Sequence, residues 1–161
     1  MDIETGEDLR WYLVHTKPRQ EERANSNLMA WGVETLYAKL RTRCRYNQFT
    51  GVPTYIPEPL FPRYVLAKFN ARQLPKIRFT RGVHGLVYLG NSPARVCEEI
   101  ITIIRARIDQ NGFVKGSSDL KPGDRAVISE GPLRKLMEVF EREIKGSERS
   151  IILLRAVDET Q

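Results

Sequence analysis

Trp11 to Thr16 (WYLVHT) is a short run of aromatic and aliphatic side chains, the pattern of a buried strand. Pro18 suits the first turn of a helix, where a missing N–H costs nothing. That helix is predicted through Arg19 to Trp31, with Ala24, Leu28 and Trp31 on one face and Gly32 as the stop beyond its end. Val33 to Leu40 reads as a second strand that continues into Arg41, Arg43 and Arg45 around Cys44. Asn47 to Gly51 has turn chemistry, and Val52 to Ile56 is expected to return as the other arm of a hairpin that projects basic side chains into solvent.

Tyr64 to Phe69 (YVLAKF) gives the strongest strand pattern and is entered through Pro57, Pro59 and Pro62, which rule out helix there. Residues 71–79 stay ambiguous, because Pro75 interrupts what otherwise looks like a short helix. Gly82 to Gly85 reads as a turn and Leu86 to Leu89 as a fourth strand. Glu98 to Gln110 is a predicted helix: Ile100, Ile101, Ile104 and Ile108 share a face, acidic residues sit at its positive end, and Gly112 follows its close. Strand, helix, several strands and helix imply an α+β fold, an antiparallel sheet flanked by helices.

After this unit, Asn111 to Asp119 is polar and rich in Gly and Ser, as linkers are. A Lys-Pro-Gly-Asp turn, an alternating strand over Arg125 to Ser129 and a turn at Glu130 to Pro132 open a second, small unit. The expected organisation is an acidic tail over 1–10, a main domain over 11–110, a linker over 111–119 and a small domain over 120–161.

Charge sharpens this division. Residues 1–110 carry 17 Lys and Arg against 11 Asp and Glu, while residues 111–161 carry 9 against 9, so the net charge of +6 lies wholly in the first part. Between Arg10 and Arg81 the count is 14 against 4, enough to steer polyanions and release counterions from a phosphate backbone. Catalysis has little to work with: His15 and His84 lie far apart in sequence, and no phosphate loop or activated serine accompanies them. Cys44 and Cys97 make neither a disulfide framework nor a zinc cluster, and no apolar run reaches the roughly 20 residues of a membrane span. A cytoplasmic protein that is not an enzyme, has no cofactor or metal and has no membrane partner is expected.

Four stretches occur in the order of one family: WYLVHTKPRQEERA, EPLFPRYVLAKF, TRGVHGLVYLGNSPARV and LKPGDRAVISEGPL. Together they resemble the NusG family of transcription elongation factors, and the first three are most similar to its specialised RfaH-like branch. The resemblance implies an N-terminal domain that seats on the clamp helices of the RNA polymerase β′ subunit and bridges the DNA cleft toward the β subunit. Such bridging suppresses pausing and termination, in an operon-specific manner. The resemblance also implies a monomer. By position, the polymerase-binding patch maps onto His15, Pro62, Tyr64 and Leu66, with Phe61 packing inward. The positions that touch the non-template DNA strand map onto Lys17, Arg23, Arg78, Thr80 and Arg81. Where the RfaH branch carries a His-Thr-rich segment that meets the β-subunit gate loop, this chain has Gln73-Leu74-Pro75-Lys76.

The second unit resembles a KOW-type β-barrel whose partner in the family is a ribosomal protein or Rho. Here the chain stops at Gln161, before the last strand of such a barrel, so an incomplete barrel is one expectation, with strands near Leu136 to Arg142 and Ser150 to Ala156. The other expectation is helical. Leu133, Leu136, Met137, Phe140 and Ile144 repeat at helical spacing, and Arg134 to Lys145 contains no Gly or Pro, so this stretch can form a helix. The resemblance to the RfaH branch, which holds its C-terminal domain as a helical hairpin against the polymerase-binding face, implies that this helix masks Tyr64 and Leu66. A KOW-containing ribosomal or RNA-binding module shares the basic charge and the small second unit, and stands as the alternative function.

Overall fold

The computed structural model describes residues 8–46, 48–115 and 132–161. Its elements are β1 (Arg10–Thr16), α1 (Glu21–Ala30), β2 (Glu34–Leu36), β3 (Lys39–Tyr46), β4 (Pro53–Pro59), β5 (Tyr64–Phe69), a 3-10 turn (Ala71–Gln73), α2 (Leu74–Arg78), β6 (Val83–Leu86), β7 (Tyr88–Leu89), β8 (Ser92–Pro93), α3 (Glu98–Arg107), α4 (Pro132–Glu141) and α5 (Gly146–Glu159).

Four strands form an antiparallel sheet in the order β2-β5-β1-β6. Strand alternation sorts the side chains of β1 and β5 onto two faces. Tyr12, Val14, Val65, Ala67 and Phe69 face α1 and α2, and join Ala24, Leu28, Val33, Ile77 and Val83 in one buried cluster. Trp11, Leu13 and Leu66 lie on the opposite face in a second cluster, with Ile100, Ile101 and Ile104 of α3 and with Leu133, Leu136, Val139, Leu153, Ala156 and Val157 of α4 and α5. The paired strands β3 and β4 form the separate basic hairpin that the sequence predicts, with a bulge at Cys44 between Arg43 and Arg45.

Several boundaries depart from the sequence reading, each for a local reason. Arg19 adopts a left-handed backbone (φ 59), so Pro18 lies in a turn ahead of α1 rather than in its first turn. Trp31 is half exposed at the end of α1 and takes no part in the buried face. The expected strand over Val33 to Leu40 is broken in two, because Leu36 pairs with β5 whereas Lys39 pairs with β4. Only Gly82 of the expected turn over Gly82 to Gly85 stays outside a strand; Val83 is buried and pairs with Thr16. Helix α3 ends at Arg107, since Ile108 turns extended and bridges Val114. The start of the expected linker is held as well: Lys39 N–H donates to Gly112 O, and Val114 N–H donates to Lys39 O.

The largest correction concerns the C-terminal part. Residues 132–161 hold two helices, and both strands expected near Leu136 to Arg142 and Ser150 to Ala156 are helical instead. No sheet among the described residues closes into a barrel. The strand and turns expected over Leu120 to Glu130 lie outside the described residues.

Candidate functional site

The antiparallel register places His15 opposite Tyr64 and Leu13 opposite Leu66. His15 and Tyr64 stack with ring centroids 5.1 Å apart, and His84 meets His15 edge-on at 4.9 Å. Burial, then the Arg63 guanidinium and His84, hold the His15 imidazole below the ordinary histidine range. Burial pushes the Tyr64 phenol up, an effect that Arg63 partly opposes. Arg63 sits in a left-handed backbone (φ 78) fixed by its N–H on Glu21 Oε2 at 2.9 Å and its Nε on Thr16 O at 3.0 Å. This turn sets Pro62 and Tyr64 at the start of the central strand β5.

The helical hairpin lies over this face. Leu66 is 3% exposed, and Tyr64 packs against the cluster that α4 and α5 complete. Ser150 Oγ donates to Pro62 O at 2.8 Å, and the start of α5 comes so close that a Cβ on Gly146 would lie 2.9 Å from Pro62 Cγ. Phe61 is buried in the same cluster.

Arg149 joins the hairpin to the domain by polar contacts. Its buried guanidinium pairs with Glu58 at 3.2 Å and donates to Leu60 O at 2.6 Å, to Pro59 O and to Ile144 O. A second buried arginine reaches the other way, from Arg107 of α3 to Glu141 of α4 at 3.5 Å. A buried cation is tolerated only when paired and hydrogen-bonded, so these contacts fix where the hairpin docks. Of the residues predicted to lie between the domains, Leu133, Leu136 and Met137 are buried, and Phe140 and Ile144 are half-buried against the cluster. Sequence reasoning missed Val139, Arg149, Ser150, Leu153, Ala156 and Val157.

The predicted nucleic-acid residues gather on the other side of the sheet around Gly82. Its positive φ and its contact with α1, where a Cβ would meet Ala24 N at 2.8 Å, require glycine. Lys17 N–H donates to Gly82 O, and Asn27 Nδ2 donates to Arg81 O at 3.0 Å. Lys17, Arg23, Arg78 and Arg81 are thus exposed around one short loop. Thr80 departs from the expectation: it is buried and its hydroxyl donates to Lys76 O, so it shapes the turn rather than facing solvent.

The described fold is thus a sheet with helices on both faces, a basic hairpin and four exposed cations around one loop. Residues 9–105 match the family model described as "Transcription termination factor nusG". The chain therefore belongs to the NusG family, whose members are transcription elongation and antitermination factors. Among solved structures it is similar to one titled "Domain interaction in Thermotoga maritima NusG", at 24% identity and a TM-score of 0.40. That match covers 62% of this chain and spans 57% of the Thermotoga chain.

Proposed function

We propose that this chain is a specialised, RfaH-like elongation and antitermination factor whose polymerase-binding face is masked by its own C-terminal hairpin. His15, Pro62, Tyr64 and Leu66 form the face for the β′ clamp helices, and the domain bridges the DNA cleft toward the β subunit to oppose pausing and termination. No covalent step is needed: preferential binding to the elongating conformation is sufficient. The observation that carries this reading is the burial of Leu66, with half-buried Tyr64 packed beside it, in one apolar cluster with α4 and α5, while Arg149 ties the hairpin down at Glu58.

The covered face cannot hold both the hairpin and a polymerase helix. Affinity for polymerase is then reduced by the fraction of molecules in which the hairpin is open. Arg149→Ala alters only the cover, so any polymerase binding it gains comes from uncovering. In a pull-down at moderate salt, where charge attraction is screened, wild type is expected to bind weakly and Arg149→Ala strongly. Tyr64→Ala with Leu66→Ala in the Arg149→Ala background is expected to lose that binding. Retention by the triple variant would remove the assignment of the face.

A further inference from the structure

The turn between α4 and α5 does not close flush on the domain. A cleft of about 540 Å³ lies between it, the root of the β3–β4 hairpin and the segment that follows α3. Leu40, Val114, Phe140 and Ile144 line it, and all four are half-buried, packed on the core with part of each side chain left on the cleft wall. Several hundred Å³ bounded by apolar walls and a few charged groups is the size and make-up of a small-molecule site.

The charged groups select the ligand. Four cations line the cleft, Arg41, Arg142, Lys145 and Arg149, against two carboxylates, Glu58 and Glu143. Arg149 and Glu58 pair with each other at 3.2 Å, which leaves Arg41, Arg142 and Lys145 against Glu143. Arg41 is shared with Asp109 at 3.4 Å and with the face of the Phe113 ring, and Arg142 reaches Glu138 only at 3.9 Å. Lys145 forms no ion pair among the described residues. It stands directly before α5, whose N-terminus has no side-chain cap, so the positive end of that helix adds to the same side of the cleft. Positive potential beside apolar walls favours an anion over a neutral or cationic ligand.

We propose that this cleft binds a small organic anion with an apolar body, and that the bound ligand locks the helical hairpin over the polymerase-binding face. The walls belong to both sides of the junction: Leu40, Arg41 and Val114 to the domain, Phe140, Ile144 and Lys145 to the helical hairpin. The site therefore exists only while the hairpin is docked, and a ligand that binds one state alone stabilises that state by mass action. The apolar body lies on Leu40, Val114, Phe140 and Ile144, and the anionic group faces Lys145 and Arg41. The locking role rests on the reading of α4 and α5 as a cover, whereas the site rests on the cleft alone.

The test uses the full chain and anilinonaphthalene sulfonate, an aromatic body with one sulfonate whose fluorescence rises when it leaves water. Binding is expected to saturate at one site. Lys145→Glu should weaken it about tenfold and Lys145→Arg should restore it. Lys145 is exposed and only its backbone carbonyl holds the Arg149 N–H, so both variants keep the hairpin docked, which circular dichroism checks. At a probe concentration about tenfold above the wild-type Kd, hydrogen exchange in α4 and α5 should slow about tenfold in wild type and about twofold in Lys145→Glu. Apparent affinity for polymerase should fall by the same factors. Equal probe binding by wild type and Lys145→Glu, or no saturable binding, would overturn the site. Saturable binding that leaves exchange and polymerase affinity unchanged would overturn the lock. Failure of the cover reading shows separately, as an Arg149→Ala chain that gains no polymerase; it would remove the lock, while the fluorescence titration decides the site.

Discussion

The two faces of the central sheet are covered in different ways. One is closed by α1 and α2, helices that lie next to their strands in sequence, through a cluster of apolar side chains with Phe69 and Leu28 fully buried. The other is closed by α3 and then by α4 and α5, which come from the far end of the chain; here buried Arg107 of α3 and Arg149 of α5 add ion pairs to the apolar contacts. A face meant to stay covered needs only apolar packing. Directional polar ties place a cover at one position, and they lose their value together once the cover moves. The difference suits a permanent core on one side and a detachable lid on the other.

This contrast is broken most strongly at Phe69. Phe69→Ala leaves a cavity under the permanent layer beside Tyr12, its stacking partner at 4.7 Å, and is expected to cost about 3–5 kcal/mol in the unfolding of the whole domain by denaturant. Glu58→Ala should cost about 1 kcal/mol: it removes the carboxylate from buried Arg149, but Glu58 is 42% exposed and the carbonyls of Leu60, Pro59 and Ile144 still accept from the guanidinium. Its effect should fall on the lid alone, with raised hydrogen exchange in α4 and α5 and unchanged protection in β1 and β5. A loss spread over the sheet would join the two faces into one cooperative unit and end the comparison.

The smallest expected effect is that of pH at His15. Its imidazole is held below the ordinary value, so the folded chain takes up that proton less readily than the unfolded one. The contribution is complete above the unfolded value of about 6.5 and is lost as pH falls through the folded value. His15→Phe keeps the ring against Tyr64 and should flatten this part of a stability profile measured by urea titration between neutral and mildly acidic pH.

Much of the permanent side was legible in the sequence. The alternation in WYLVHT and YVLAKF gives both central strands, and the spacing of isoleucines gives α3. The lid was only half legible. Leu133, Leu136 and Met137 follow helical spacing, but the SIILL run from Ser150 to Leu154 is a short apolar stretch that suits a strand as well as a helix. What makes it helical is tertiary: Leu153, Ala156 and Val157 find a buried surface, and Ser150 and Arg149 find carbonyls on residues 59–62. No local signal names those partners. The exposure of Trp31 escaped for a related reason, since it fits the apolar face of a helix until the chain turns at Gly32 (φ 82).

The central claim is that the hairpin and polymerase compete for one face. Fluorescence energy transfer tests it directly, with one label at exposed Glu148 on α5 and one at exposed Arg72, each changed to cysteine in a chain with Cys44 and Cys97 replaced by serine. Transfer should be high in the free protein and fall as polymerase is added, in proportion to the bound fraction. Unchanged transfer at full polymerase occupancy would mean that the hairpin stays in place, and that polymerase is held by some other surface.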